Sequence, residues 1–313
     1  MIEFAGSKVL VVGLGKSGLG AIRVLCKRGA VVSAYDQKDW SRLDSDLVNE
    51  LNALRVKCYA GAFPEIIENS FDLLIVSPGV PKEIELVEKA MQLGIKVIGE
   101  VELAYLIKND EIEFLAVTGT NGKTTTTSLL HYIMLQYGLR AELGGNIGIS
   151  LAAQVDRMDK GVLCIEMSSF QLDTIEQFSA PISAVLNITP DHMDRHKTME
   201  AYVASKANIL KNLSIDNYAV LNYEDAEIRK IAALCKAQIL FFSTVRPLDA
   251  GIYIDNNQIV INWKEKKENF IELSKLSLRG KHNLENILCA AGMAYIYGVP
   301  VTAIADSLTS FKA

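Results

Sequence analysis

A lysine followed by two threonines closes the segment Thr118-Gly119-Thr120-Asn121-Gly122-Lys123-Thr124-Thr125. A short apolar run, Phe114 to Val117, precedes it, and a helical pattern ending near Gly138 follows. A strand, a glycine turn and a helix N-terminus wrap phosphates in backbone N–H groups; Lys123 would reach the terminal phosphates and Thr124 would face Mg2+. The standard GxxxxGK[ST] spacing asks for glycine at position 117, where this chain has Val117, so the loop is a shortened variant. A merely structural turn rarely pairs Lys-Thr with this setting, and ATP is the ligand expected.

A second pattern, Gly13-Leu14-Gly15-Lys16-Ser17-Gly18, follows a strand-like run, opens a helical pattern and has Asp36 at the end of the next apolar run. Glycines there permit close approach to a diphosphate that the helix N-terminus favours electrostatically. Nucleotide binding is expected, with NAD slightly ahead of other nucleotides; a tight turn that holds no ligand is the bland alternative. Ser77-Pro78-Gly79-Val80-Pro81 leaves another strand at the edge where ligands sit in open α/β sheets, though in isolation it reads as a rigid turn. Two nucleotide motifs on one chain ask for more than a simple dehydrogenase.

Glu166 closes the apolar run Val162 to Met167, which a parallel sheet would bury. A buried carboxylate is expensive unless paired or bound to a cation, and Mg2+ is favoured over an ion pair. The segment Thr189-Pro190-Asp191-His192-Met193-Asp194-Arg195-His196 gathers two of the four histidines. The spacing of His192 and His196 hints at zinc, but Pro190 argues against a helix there; Asp194, Arg195 and His196 read as solvated loop charges. Lys206 shares a helical face with Tyr202, Ile209 and Leu213, so it either snorkels to the rim or is desolvated with its pKa lowered, which leaves a nucleophilic amine.

These residues need strands to present them. Lys8 to Gly13, Val31 to Asp36, Asp72 to Ser77 and Lys96 to Gly99 form a first set in a βαβ rhythm. Phe114 to Gly119, Val162 to Met167, Ala184 to Ile188, Tyr218 to Leu221 and Ile239 to Phe242 form a second. The polar stretch Lys108 to Glu111 marks a boundary within Glu100 to Glu113. Gly251 to Trp263 alternates in polarity around Asp255, Asn256 and Asn257, a hairpin signal, and a last helix runs from about Asn283 to Tyr297.

The 313 residues are half hydrophobic with a formal charge of −5, enough for two cores and wrong in sign for a nucleic-acid surface. Cys26, Cys58, Cys164, Cys235 and Cys289 form no CxxC pair and read as reduced core residues. Met1 to Leu10 lacks a basic start before an apolar stretch, and no apolar run approaches a membrane span. A soluble intracellular protein is expected.

Together these residues resemble the Mur ligase family, which builds the peptide of bacterial cell-wall precursors. The resemblance rests on Thr118 to Thr125, Gly144-Gly145-Asn146-Ile147-Gly148, Glu166 to Leu172, Asn187 to Asp194, Lys206, and His282-Asn283 with Asn286. It implies an α/β chain with a Rossmann-like domain at 1–102 and a P-loop ATPase-type domain with a mostly parallel sheet at 103–313. The first domain is most similar to that of the D-glutamate-adding member, with the L-alanine-adding relative as nearest competitor.

The implied reaction joins UDP-N-acetylmuramoyl-L-alanine to D-glutamate through an acyl phosphate made with ATP and Mg2+, in a monomeric cytoplasmic enzyme without nucleic-acid or membrane partners. By the same resemblance, Leu14, Gly15, Lys16 and Ser17 hold the UDP diphosphate, Asp36 and Gln37 lie at the uracil, and Ser77, Pro78 and Gly79 line that cleft. Asn146, Ser168 and His192 reach the substrate. Gly119, Thr120, Asn121, Gly122, Lys123, Thr124 and Thr125 hold ATP, and Asn283 and Asn286 approach its adenine. Lys123, His192 and Lys206 are the catalytic set; Thr124, Glu166, His192 and a carbamylated Lys206 are the metal set. The family's third, amino-acid-binding domain is expected to be absent, so that the fragment binds substrate without completing the amide. An NAD-dependent oxidoreductase and an ATP-gated UDP-sugar-binding module are the alternatives.

Overall fold

A computed structural model describes residues 4–66 and 70–312, so Met1 to Glu3 of the N-terminal reading lie outside it. The chain divides into two compact units. In the first, β1 (Lys8–Val12), α1 (Lys16–Lys27), β2 (Val31–Asp36), α2 (Ser45–Ala53), β3 (Lys57–Ala60), β4 (Leu73–Val76), α3 (Glu85–Gln92), β5 (Lys96–Gly99) and α4 (Glu100–Ile107) follow in order. The five strands pair in parallel as β3-β2-β1-β4-β5. The run Val9 to Val12 is fully buried, as a central parallel strand covered on both faces must be.

The second unit starts from β6 (Ile112–Thr118), α5 (Lys123–Gln136) and β7 (Ala141–Gly145). The chain then returns to the first unit for α6 (Leu151–Val155), comes back for β8 (Gly161–Glu166) and α7 (Ser169–Leu172), and returns once more for residues 173–178. From there it continues as β9 (Ile182–Val185), α8 (Met193–His196), α9 (Met199–Ala207), β10 (Tyr218–Asn222), α10 (Ala226–Ala232) and β11 (Gln238–Ser243). It ends with β12 (Gly251–Asp255), β13 (Gln258–Trp263), β14 (Lys266–Glu272), α11 (Lys281–Tyr297) and α12 (Val301–Ser310). The nine strands run β14-β13-β12-β11-β10-β9-β6-β8-β7, parallel from β7 to β12, with β13 antiparallel to both neighbours. The mostly parallel sheet is therefore present. α5 and α11 pack together against it, and Leu129, Leu130, Ile133, Leu288 and Ala291 lie in the shared core.

The first unit runs to Asn109, within the expected window Glu100 to Glu113 and seven residues past the expected end at 102, and it takes in two later segments, Gly148–Asp159 and Asp173–Phe178. Two buried glutamates on α4 explain this. Glu100 accepts from the Ser150 hydroxyl at 2.7 Å and the Ala152 N–H at 2.6 Å, which caps the start of α6. Glu102 accepts from the N–H groups of Glu176, Gln177 and Phe178 at 2.8–3.0 Å. Burial pushes the Glu100 carboxyl above its ordinary range.

Three strands were not anticipated: β3, the glycine-ended β7, and β14, whose Lys266, Lys267 and Glu268 are the charges of an edge strand. The hairpin of β12 and β13 turns at Asn256 and Asn257, both left-handed, as expected. All five thiols are free. Only Cys164 and Cys289 are fully buried; Cys26, Cys58 and Cys235 are half-buried, which corrects the reading of all five as core. No helix among the described residues is long and apolar enough to cross a membrane.

Candidate active site

In the first unit, Asp36 is spent on the glycine loop itself. One carboxylate oxygen accepts from the Leu14 N–H at 2.9 Å and the other from the Lys38 N–H at 3.0 Å. Gly15, Lys16 and Gln37 are exposed beside them, and Ser17 is half-buried at the start of α1. A Cβ at Gly18 would stand 1.9 Å from the Gly13 carbonyl oxygen, so the third glycine lets α1 approach the turn. The Ser77 hydroxyl donates to that same carbonyl at 2.9 Å. The Ser77-Pro78-Gly79 loop is thus tied to the glycine loop rather than being a separate turn.

In the second unit, β6 ends at Thr118 and the loop turns through Gly119 (φ 159) and Gly122 (φ 84) before α5 begins at Lys123. The exit of β9 braces it. Thr120 donates its N–H to the Asn187 carbonyl at 2.9 Å, the Thr120 hydroxyl donates to the Thr189 carbonyl at 3.1 Å, and the Asn187 side chain bonds both the N–H and the C=O of Asn121. Beneath the loop, the Asn286 side-chain oxygen accepts from the Thr126 hydroxyl at 3.2 Å and lies where a Cβ on Gly122 would fall. Asn286 also donates to Asn283, which is half-buried, at 3.3 Å.

Glu166 is 2% exposed. Its two oxygens accept from the Thr124 hydroxyl at 2.7 Å and the Asn146 amide at 3.0 Å, which brings three expected residues together. The Glu166 carboxylate and the Thr124 hydroxyl at the start of α5 form an all-oxygen donor pair, which fits Mg2+ rather than a softer metal. Among the described residues no three His, Cys, Asp or Glu side chains gather as a protein-only metal cage. His192 is exposed and left-handed (φ 53), 3.5 Å from its neighbour Asp191 and with its ring 5.1 Å from that of Phe170. Ser168 is half-buried and bonded to the Gln171 side chain.

Lys123 and Lys206 converge on one carbonyl. The Lys123 amine donates to Gly119 at 3.0 Å and Thr120 at 2.8 Å, while the Lys206 amine donates to Gly119 at 2.7 Å. Lys206 is 2% exposed and lies 4.6 Å from the Tyr202 ring, so of the two outcomes read from its helical face, desolvation is the one realised. Burial, reinforced by the Lys123 charge, lowers its pKa to about 7, with Asp191 pulling back. Burial also lowers Lys123, against the pull of Glu166 and Asp191.

The solvated-loop reading of Arg195 and His196 is overturned. Met193 to His196 form one helical turn; the Arg195 guanidinium lies 3.9 Å from the Phe170 ring centre, and the His196 ring stacks on that same ring at 5.2 Å, so apolar surface holds both. Asp194 stays exposed as expected. Tyr202 was read only as a core neighbour, yet its hydroxyl lies 3.2 Å from that of Thr120 in the phosphate loop. Its place one helical turn before Lys206 is the signal that could have pointed there.

Comparison with known proteins adds an independent finding. Residues 117–294 match the model of the Mur ligase middle domain, and residues 7–99 that of the Mur ligase MurD-like N-terminal domain. The chain is 39% identical over 313 residues to the UDP-N-acetylmuramoylalanine--D-glutamate ligase of Clostridioides difficile, covering 99% of this chain and 68% of that one. It is 41% identical over 311 residues to the protein of the same name from Pelotomaculum thermopropionicum, again covering 99% and 68%. Among solved structures it resembles the UDP-N-acetylmuramate:L-alanyl-gamma-D-glutamyl-meso-diaminopimelate ligase of Neisseria meningitides, with a TM-score of 0.63, 19% identity and 99% of both chains covered. It also resembles the UDP-N-acetylmuramate-alanine ligase of Thermotoga maritima, with a TM-score of 0.56, 16% identity, and 98% and 69% covered. At those identities the structural likeness speaks for the fold.

Proposed function

This chain belongs to the Mur ligase family, and from that premise we propose that it carries the nucleotide and UDP-substrate sites of an ATP-dependent ligase that joins UDP-N-acetylmuramoyl-L-alanine to D-glutamate. The observation that carries the reading is the convergence of Lys123, Thr124 and Glu166 at the end of β6, because a simple dinucleotide enzyme has no use for them. Leu14 to Ser17 hold the UDP diphosphate at the start of α1, with Asp36 shaping the loop and Gln37 free to meet the base. Gly119 to Thr125 hold ATP, and Asn283, steadied by Asn286, lies towards adenine.

The substrate carboxylate attacks the terminal phosphorus of ATP, ADP leaves, and the amine of D-glutamate then displaces phosphate from the acyl phosphate. Lys123 places a fixed positive charge on the transferring group, and it does so with little reorganisation because its amine is already held by the loop. Thr124 and Glu166 would hold Mg2+, with His192 as a further candidate; the ion supplies charge neutralisation on the phosphates. Asn146, Ser168 and His192 serve the substrate side. Lys206, with a pKa of about 7, has a nucleophilic amine at neutral pH. In its neutral form that nitrogen can bond the carbon of CO2 and release one proton to solvent, leaving a carbamate whose oxygens are anionic donors.

Calorimetric titration of Lys123→Ala tests the two-site reading. ATP affinity is expected to fall at least tenfold, with the Kd for UDP-N-acetylmuramoyl-L-alanine unchanged within twofold. Equal loss of both would contradict it. Binding of NAD in place of the UDP compound by the unaltered chain would overturn the ligase assignment for the first unit.

A further inference from the structure

The single turn α8 is too short to set its own direction. Left-handed residues stand at both its ends, His192 with φ 53 and Lys197 with φ 67. Backbone of this kind in non-glycine residues persists only where surrounding contacts enforce it. His196 supplies those contacts. Its Nε2 lies 2.9 Å from the Ser169 hydroxyl, and its ring stacks on Phe170 at 5.2 Å with 7° between planes and tilts against Tyr202 at 5.0 Å.

Each partner leads to a different functional segment. Ser169 and Phe170 begin α7, three and four residues after Glu166, and Phe170 also faces the His192 ring at 5.1 Å. Tyr202 lies on α9 one turn before Lys206, and its ring supports the Lys206 amine. The Ser205 hydroxyl donates to the Ser169 carbonyl at 2.8 Å, so α9 grips α7 beside the imidazole. The exit of β8, the loop with His192 and the helix with Lys206 therefore meet at one side chain.

We propose that His196 is a positioning residue for the metal–nucleotide site, acting through Ser169, Phe170 and Tyr202 to fix Glu166, His192 and Lys206 relative to one another. It rests on the ligase reading above. His196 is not needed to touch phosphate or metal; its imidazole is spent on α7 and α9. Outer partners of this kind, which orient the groups that do the binding, carry about 10–100-fold of metal affinity in proteins generally.

The test is Mn2+ binding, followed by electron paramagnetic resonance in the presence of the β,γ-imido analogue of ATP, on the full 313-residue chain. His196→Ala is expected to weaken Mn2+ binding at least tenfold and Ser169→Ala about threefold. His196→Gln, which can reach Ser169 without stacking, recovers part of the loss. The Kd for UDP alone, whose proposed diphosphate and base contacts all lie in the other unit, stays within twofold. Ser169→Ala removes one hydroxyl and keeps the test decisive should His196→Ala fail to fold. Unchanged Mn2+ binding in folded variants, with only a lowered Tm, would overturn the proposal and leave His196 as packing. Failure of the unaltered chain to bind Mn2+ with the analogue would instead remove the ligase reading, and this inference with it.

Discussion

Replacing Lys206 by methionine should stabilise the folded chain at neutral pH while removing the amine that the proposed chemistry needs. The folded-state pKa is depressed from 10.5 to about 7, so between those values the unfolded chain takes up a proton that the folded chain refuses. Stability is therefore lost as pH falls from 10.5 towards 7 and is level below that. At about 1.4 kcal/mol per pH unit, the burden is ~4 kcal/mol at pH 7 and under ~1 kcal/mol at pH 10. Methionine forfeits the hydrogen bond to Gly119, worth about 1 kcal/mol, although Lys123 still serves that carbonyl. The net expectation is a gain of about 3 kcal/mol at pH 7 that vanishes or reverses near pH 10. Urea unfolding in CO2-free buffer, with Trp40→Phe so that Trp263 alone reports on the second unit, measures it at both pH values. A variant no more stable than its parent at pH 7, or a gain that does not change between pH 7 and 10, would refute the claim that Lys206 is held against its own charge.

Gly122→Ala should cut ATP affinity at least tenfold in calorimetric titration. The residue sits at φ 84, and its new Cβ would fall 2.1 Å from the Asn286 side-chain oxygen, which must then give up the Thr126 hydroxyl. Wild-type affinity in this variant would show that the loop's conformation is not what binds phosphate. Glu102→Gln should destabilise the first unit by about 2–4 kcal/mol in chemical denaturation, because the side chain is fully buried and an amide can satisfy only part of its three N–H donors, one buried and two partly buried, while bringing two donors of its own. A loss below about 0.5 kcal/mol would mean that residues 173–178 are held to the first unit by something other than Glu102.

What the sequence disclosed, and what it concealed, follows the range of the interactions involved. Lys206 could be read as desolvated because its surroundings are written four residues away, in Tyr202, and along the same helix. His196 looked like one more solvated charge, since Ser169 and Phe170, which capture it, lie on another element and have no periodic relation to it. The two later segments of the first unit are hidden from the sequence for the same reason. Glu102 bonds N–H groups 74–76 positions further on, and a helix boundary read from local polarity has no access to such a pairing. β7 escaped because it ends in two glycines, and β14 because its charges suit an unpaired edge rather than a buried strand.

The departure at Val117 shows how a broken motif can be structurally required. Val117 is fully buried, pairs with Glu166 on β8 and with Ala184 on β9, and so belongs to the interior of β6, where glycine would weaken the strand. The turn cannot begin until Gly119, which leaves few residues to wrap a phosphate before α5. A loop this short is less able to hold itself, and its fixity is borrowed from elsewhere: Asn187 and Thr189 from the exit of β9, Asn286 from α11, and the amines of Lys123 and Lys206 on the Gly119 carbonyl. The residues that mark the phosphate site in sequence are thus contiguous, but those that keep it in shape come from three later elements of the same unit. Substitutions at Asn187 or Asn286 should therefore read in ATP binding as if the loop itself had been altered.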